Sequence, residues 1–310
     1  MDTIRRIREK AKARQRTIVL PEYQDARVVE AARIIEKEGL AKVLLLSEDR
    51  IDQKEKERYI AEFYEMHKGR EMSMEDVTRL FDGGLYYAAM MVREGKVDGI
   101  VAGASHTTPD MARSVIRCIG VEERISIVSS CFIMEVPNCP YGENGTFIFA
   151  DCGIIPDPNA RQLACISLAA SELAERVLDL KKPRIAMLSY STKGSARTKS
   201  AEKISEGIKL LKEMAPDILV DGELQVDAAI VPEVAEIKHH DSPIGGRANV
   251  LIFPNLEAGN IGYKLVQRLS NARALGPLFL GLKHPASDLS RGCLVEDVVD
   301  CVAVTSIRAE

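Results

Sequence analysis

Apolar runs that end in small or polar residues alternate along this chain with longer stretches of helical period, and that alternation restricts the fold more than any other feature. TIVLPE (17–22) predicts a strand, ARVVEAARIIEKEGL (26–40) a helix stopped by Gly39, and KVLLLS (42–47) the next strand. The charged segment from Glu48 to Met74 predicts solvated helices. DGIVAGA (98–104) then predicts a strand, and PDMARSVIRCIG (109–120) a helix with Pro in its first turn. A βαβα succession of this kind builds parallel sheet covered by crossover helices.

The pattern changes in the middle. ISIVSSCFIMEV (125–136) and GTFIFAD (145–151) are β-rich runs on either side of the turn-prone PNCPYGENG, which predicts a hairpin. Alternation then resumes: helix 159–177, strand 184–190, helix 198–214, strand 249–255, helix 261–270, strand 276–282 and a last helix 293–303, with 239–247 as a loop. The change near residue 127 places a domain boundary there. The expected organisation is two α/β domains with mainly parallel sheets, the first formed by 1–127 plus about 283–310 and the second by 128–282.

Composition agrees and excludes several functions. Hydrophobic residues make up 46% and aromatic residues only 5%, so Val, Ile, Leu and Ala dominate, as in buried parallel strands. A net charge of −4 gives no general attraction to nucleic acid or to an anionic membrane, and a phosphate-bearing ligand must be held by local groups. No apolar run reaches the roughly 18 residues of a membrane span. The basic start, MDTIRRIREKAKARQR, contains Asp2 and Glu9, lacks Ser, and predicts a first surface helix rather than a transit peptide. Seven cysteines without a CxxC pair predict reduced, mostly buried thiols in a reducing, cytoplasmic setting. Five histidines (67, 106, 239, 240, 284) show no ligand spacing, so no metal site is expected. No GxSxG elbow, Walker A loop or complete GxGxxG is present.

Ligands of open α/β sheets collect where strands end. Four such loops are rich in small polar residues: SHTTP (105–109), SYSTKGS (189–195), PNLEAGNIG (254–262) and PASDLSRGC (285–293). Each alone is more often a helix cap or turn than a ligand site, whereas four at corresponding strand ends suggest one cleft. Exposed N–H groups at strand–helix junctions suit phosphate. His106, Thr107, Thr108, Ser191, Thr192, Lys193, Gly194 and Asn260 are therefore candidate substrate-binding residues. In DLSRGCLVEDVVD (288–300), Ser290 and Arg291 precede Gly292 and Asp297 follows inside a helix. A hydroxyl, a guanidinium and a carboxylate around a helix start suit a phosphorylated carbonyl substrate. The plain alternative is a cap, a surface cation and a solvated acid, and Asp300 competes with Asp297 for any acidic role.

These segments resemble the phosphate acetyltransferase family closely. The matching runs are DGIVAGASHTTPDMAR (98–113), FIFADCGIIPDPNARQLA (147–164), RIAMLSYSTKGSA (184–196), DGELQVDAAIVPEVA (221–235), ANVLIFPNLEAGNIGYKLVQRL (248–269) and DLSRGCLVEDVV (288–299). The resemblance implies two α/β domains with an interdomain cleft, isocitrate/isopropylmalate dehydrogenase-like, in a homodimer. It implies reversible transfer of acetyl between coenzyme A and phosphate, with CoA or acetyl-CoA as substrate and no permanently bound cofactor. By the same match Asp297 is the general base toward the CoA thiol, and Ser290 hydrogen-bonds the reacting sulfur or the tetrahedral intermediate. Arg291 binds acetyl phosphate, and Arg113 is a second substrate-binding arginine.

A thiol of pKa about 8.5 is a few per cent thiolate at pH 7, which is why a base helps. Burial among Leu294, Val295 and Val298 would raise Asp297, and Arg291 beside it would lower it. Direct attack in a ternary complex is expected; a ping-pong route through Cys139 or Cys293 is the alternative, since Cys293 precedes a helix where thiol pKa values fall. The chain departs from the family in EFYEMHKG (62–69), where many members carry an arginine implicated in CoA binding and Glu65 occupies the nearest position here, leaving His67, Lys68 or Arg70 as substitutes. Transfer of propanoyl or butanoyl groups, and a non-catalytic acetyl-CoA-sensing module, are the other readings.

Overall fold

A computed structural model describes residues 3–69, 72–196 and 198–309. The chain forms two compact units, one running to Val121 and resuming at Leu282, the other spanning Glu122–Gly281.

In the first unit, α1 (Thr3–Lys12) buries Ile4, Ile7 and Ala11 on one face. β1 (Thr17–Leu20) leads into α2 (Ala26–Glu38), whose N-cap Asp25 accepts from the Arg27 N–H. Gly39 ends that helix at φ 68, a left-handed conformation that returns its N–H to the last turn. β2 (Lys42–Leu45) and a 3₁₀ turn (Glu48–Arg50) precede α3 (Gln53–Met66). That helix is not solvated all round, because Tyr59 and Phe63 are fully buried. α4 (Met74–Leu80), with a Ser73–Asp76 capping box, and the nearly all-buried α5 (Leu85–Arg93) follow. β3 (Gly99–Ala102) and α6 (Thr108–Cys118) complete this half of the unit.

The second unit starts with β4 (Ser129–Glu135) and β5 (Thr146–Ala150), which pair antiparallel from Cys131↔Ala150 to Glu135↔Thr146 as the expected hairpin. α7 (Ala160–Leu178), β6 (Arg184–Leu188), α8 (Lys199–Met214) and β7 (Leu219–Leu224) come next. Two short helices, α9 (Val226–Ile230) and α10 (Pro232–His239), lead to β8 (Val250–Ile252). The unit closes with α11 (Leu256–Leu269) and β9 (Arg273–Leu280). Its sheet runs β9-β4-β5-β8-β6-β7, with β4 antiparallel to both neighbours and the remaining pairs parallel. Phe132, Phe147, Phe149, Leu188, Leu224 and Leu251 form its core.

The chain then returns to the first unit as β10 (Ala286–Asp288) and α12 (Val295–Arg308). β10 pairs parallel with β3, giving the all-parallel order β2-β1-β3-β10. α12 buries Val298, Val299, Val302 and Ile307 and packs on α1, α2 and β3. Parallel strands put the exits of β1, β3 and β10 at the same end of this sheet.

Candidate active site

Three carboxylates shape the loops at the strand ends. Glu22, just past β1 and 5% exposed, accepts four consecutive backbone N–H groups: Gly103 at 3.0 Å, Ala104 at 2.9 Å, Ser105 at 2.7 Å and His106 at 3.0 Å. It also holds His106 Nδ1 at 2.8 Å. In the second unit, Asp151 accepts from the N–H groups of Gly153, Ile154 and Ile155, and from Ser130. Glu223 accepts from Ser191 Oγ at 2.5 Å and the Gly194 N–H at 3.1 Å. Donors that the sequence offers to phosphate are thus largely occupied by internal anions.

The SHTTP loop illustrates the outcome. Thr107 caps α6, accepting from the Asp110 N–H at 3.3 Å and donating to its carboxylate at 2.6 Å. Thr108 Oγ1 donates to Asp288 Oδ2 at 2.6 Å. His106 is drawn upward in pKa by the Glu22 carboxylate, which favours the imidazolium. Burial pushes Glu22 up, but the bonds from His106 and from the Ser105, Ala104 and Gly103 N–H groups outweigh it, and its carboxyl lies below the ordinary value. Arg113 is exposed on α6 and pairs with Asp110 at 2.9 Å.

Beyond β10, Ser290 and Arg291 are exposed and Asp297 is half-buried in the first turn of α12. Ser290 Oγ accepts the Gly292 N–H at 3.2 Å, so its O–H points a donor elsewhere. Asp297 Oδ2 accepts the Leu294 N–H at 2.8 Å, which fixes one oxygen of the carboxylate. Leu294 itself is 68% exposed and does not bury that carboxylate, contrary to the sequence expectation. Asp300 no longer competes: it is 2% exposed and bonded to Arg8 Nε at 2.7 Å. The helix starts after residue 293, later than expected.

Two residues that sequence reasoning passed over organise this region. Arg27 donates to the carbonyls of Ala104 at 3.0 Å, Arg291 at 2.8 Å and Cys293 at 2.9 Å, pinning the β10 exit to the β3 exit. A cation in the first turn of a helix, where the dipole disfavours it, was the available signal. Asp288, the last residue of β10, is fully buried and its carboxyl is pushed up to about 7 by burial. Its strand is too short to stand out in the sequence.

The remaining candidates belong to the second unit. Thr192 Oγ1 accepts from the Gln225 N–H at 3.0 Å, and Lys193 Nζ bonds Asp221 and the Gly222 carbonyl. The loop lines a cavity of about 640 Å³ with Thr198, Ser205, Glu202 and Glu223. Its two glutamates disfavour a phosphate there. Asn260 Nδ2 donates to the Cys152 carbonyl at 3.1 Å, tying α11 to the β5 exit. In the 62–69 segment of the first unit, Lys68 pairs with Glu65 at 3.0 Å and His67 Nδ1 lies 2.9 Å from the Phe63 carbonyl; Arg70 lies outside the described residues.

Among the described residues, no group of three His, Cys, Asp or Glu side chains is gathered to hold a metal ion. None of their helices is long and apolar enough to cross a membrane.

A family model described as Phosphate acetyl/butaryl transferase matches residues 2–306. The chain belongs to this family. It is 44% identical over 329 positions to a phosphate acetyltransferase of Thermoanaerobacterium thermosaccharolyticum, covering 100% of both chains. A phosphotransacetylase from Streptococcus pyogenes superposes with a TM-score of 0.88 at 37% identity, covering 97% of this chain and 96% of that one. A 4-hydroxythreonine-4-phosphate dehydrogenase from Burkholderia phymatum shares the fold alone, with a TM-score of 0.53 at 13% identity over 93% of this chain and 97% of that one. The dehydrogenase-like α/β architecture expected from the sequence is therefore the one observed.

For Cys293 the ping-pong alternative loses its physical basis. None of the seven cysteines is in a disulfide. Cys293 is 5% exposed, and burial pushes its thiol up to about 11 against the pull of Arg27, so the expected activation at a helix start is absent. Cys139 lies in the β4–β5 turn of the second unit, half-buried.

Proposed function

We propose that this chain is a phosphate acetyltransferase that moves acetyl reversibly between coenzyme A and inorganic phosphate by direct thiol attack in a ternary complex. The observation that carries the reading is the β10 exit, where exposed Ser290 and Arg291 stand before Asp297 at the start of α12. Asp297 takes the proton of the CoA thiol as sulfur attacks the acetyl carbonyl; the C–S bond forms, the C–O bond to phosphate breaks, and phosphate leaves with the electron pair. An aspartate carboxylate is ordinarily a far weaker base than a thiolate, so proton transfer accompanies attack instead of preceding it. Ser290 offers its hydroxyl hydrogen to the sulfur or the intermediate. Arg291 stabilises the developing oxyanion.

Phosphate recognition falls to the cations of the first unit, Arg291, Arg113 and the His106 imidazolium, because the backbone donors around them are held by Glu22. Substrates are CoA, acetyl-CoA, acetyl phosphate and phosphate. A homodimer is supported by α11, which exposes Ile261 (58%), Leu265 (52%) and Leu269 (81%) on one face. Seven cysteines without a disulfide among them favour a reducing, cytoplasmic setting.

The test follows thioester absorbance with CoA and acetyl, propanoyl or butanoyl phosphate. Acetyl transfer that falls by at least about 10²-fold in Asp297→Asn, with the fold intact, supports the reading. Wild-type inactivity with all three acyl phosphates would overturn it, and a covalent acetyl-enzyme formed from acetyl phosphate alone would replace direct attack by a ping-pong route.

A further inference from the structure

Asp288 is a buried carboxyl group that the mechanism above does not use. It is 0% exposed at the last position of β10, two residues before Ser290. Thr108 Oγ1 donates to its Oδ2 at 2.6 Å. Its Oδ1 has no hydrogen-bond partner among the described residues. Backbone closes on it from the neighbouring loop: a Cβ on Gly103 would lie 2.3 Å from Oδ1 and 2.6 Å from the Leu289 N. The carboxyl group therefore sits where the β3 exit, carrying His106 and Thr108, meets the β10 exit, carrying Ser290 and Arg291.

Its charged surroundings come from every packed element. Glu22 faces it from the β1 exit and His106 from the β3 exit. Asp110 on α6 acts on His106, and Cys301 on α12 feels the Asp288 charge. Arg308 of α12 donates to the Ala286 carbonyl at the other end of the strand. No cationic side chain among the described residues bonds the Asp288 carboxyl group. A buried carboxylate that is met only by the Thr108 hydroxyl and the adjacent Leu289 N–H, with a second carboxylate nearby, is costly, whereas the neutral acid is less so.

We propose that Asp288 is a positioning residue that holds the His106–Thr108 and Ser290–Arg291 loops together as a neutral carboxylic acid, and that its ionisation separates them and turns the reaction down at alkaline pH. This rests on reading Ser290 and Arg291 as catalytic. The direction of its titration agrees: burial, reinforced by Glu22, outweighs the Thr108 hydroxyl, the Leu289 N–H and His106 and pushes the carboxyl up to about 7. On ionisation the Thr108 bond strengthens, but the oxygen without a partner, the lost hydration and the repulsion from Glu22 outweigh it and draw the carboxylate toward water, which opens the contact between the two strand exits.

The experiment is the pH profile of kcat and of KM for acetyl phosphate in wild type, Asp288→Asn and Thr108→Val. A group titrating near 7 drops its neutral fraction about tenfold between pH 6 and 8, and the alkaline decline of kcat follows it. Asp288→Asn, neutral at every pH, loses that decline. Thr108→Val removes a bond that favours the carboxylate, so the alkaline midpoint moves to higher pH; a merely structural change lowers the rate without moving the midpoint. Infrared difference spectra supply a readout independent of activity: a protonated carboxyl C=O stretch is present at pH 5.5, lost by pH 8.5, and absent in Asp288→Asn. The proposal is overturned if Asp288→Asn keeps the wild-type alkaline midpoint, if Thr108→Val leaves that midpoint in place, or if no such infrared signal disappears. An inactive wild type that still shows the infrared titration overturns the functional reading and the coupling to rate, and leaves the neutral acid established.

Discussion

Replacing Glu22 by Gln tests whether one buried carboxylate organises the β3 exit. Oε1 accepts from the Ser105 N–H at 2.7 Å, the His106 N–H at 3.0 Å and His106 Nδ1 at 2.8 Å, while Oε2 accepts from Gly103 at 3.0 Å and Ala104 at 2.9 Å. Glutamine has one accepting oxygen, and its NH₂ group faces at least two N–H donors whichever way it turns. Each buried donor left without an acceptor costs about 1–3 kcal/mol, so the substitution costs about 2–6 kcal/mol, a large share of the roughly 5–15 kcal/mol that holds a domain together. The pH dependence has two parts. The Glu22 pKa is lowered on folding, so its contribution is present above the ordinary carboxyl value and is lost as pH falls through the lower folded value. The His106 pKa is raised on folding, so its contribution is complete below the ordinary imidazole value and fades as pH rises through the higher folded one. The gap between wild type and Glu22→Gln in urea unfolding is therefore widest in the weakly acidic range between those values. In the same variant the His106 ring, followed by NMR, titrates at lower pH than in wild type. A difference below about 0.5 kcal/mol near pH 6, or an unmoved ring titration, would refute the reasoning.

Two further substitutions separate stability from chemistry. Asp300→Asn breaks the buried pair with Arg8 and is expected to lower unfolding stability by about 3 kcal/mol. Its kcat per folded molecule stays within about twofold of wild type, whereas a loss like that expected of Asp297→Asn would return Asp300 to the site. Arg27→Lys keeps the charge but not the fork that reaches three carbonyl oxygens, and is expected to cost about 10–100-fold in kcat through misplacement of Arg291. Steady-state kinetics beside urea unfolding decide it, and an unchanged kcat would mean that the β10 exit holds its shape without Arg27.

The legible parts of the fold are those governed by local chemistry. Asp25 and Gly39 bracket α2 because a side-chain acceptor and a left-handed glycine act within one turn. The β4–β5 hairpin shows because its turn residues lie between two β-rich runs. β7 escaped because Asp221, Gly222 and Glu223 interrupt its apolar run, and α9, α10 and the three-residue β10 are too short for a period to register. α11 was expected to begin at 261, but Asn255 caps it five residues earlier. Gly259, which argues against helix locally, is required there because a Cβ would lie 2.2 Å from the Asp151 carbonyl oxygen.

Ser290, Arg291 and Asp297 stood out through their types and spacing, reinforced by the family resemblance. What occupies the loop donors was invisible, because the acids come from far along the chain. Glu22 lies 81 residues before the first amide it holds, and Glu223 lies 29 residues after Gly194. Periodicity and turn chemistry report on neighbours in sequence, and neither tells which distant carboxylate a loop will fold around.

The interrupted course of the first unit sets an order of assembly. Thr108 and Asp288 are 180 positions apart, and Arg8 and Asp300 are 292 apart. At about 5–20 residues per second, a ribosome needs on the order of ten seconds to make the intervening second unit. Throughout that interval β3 has an open edge where β10 will pair, and Arg8 lacks its buried counterion. The nascent protein can complete a large core in its second unit before the residues proposed for catalysis, Ser290, Arg291 and Asp297, are made, since they lie beyond β10 and on the helix that closes the first. On the proposed roles of these residues, catalytic competence is a late event of synthesis, and a polypeptide released before β10 has been translated lacks the proposed active centre.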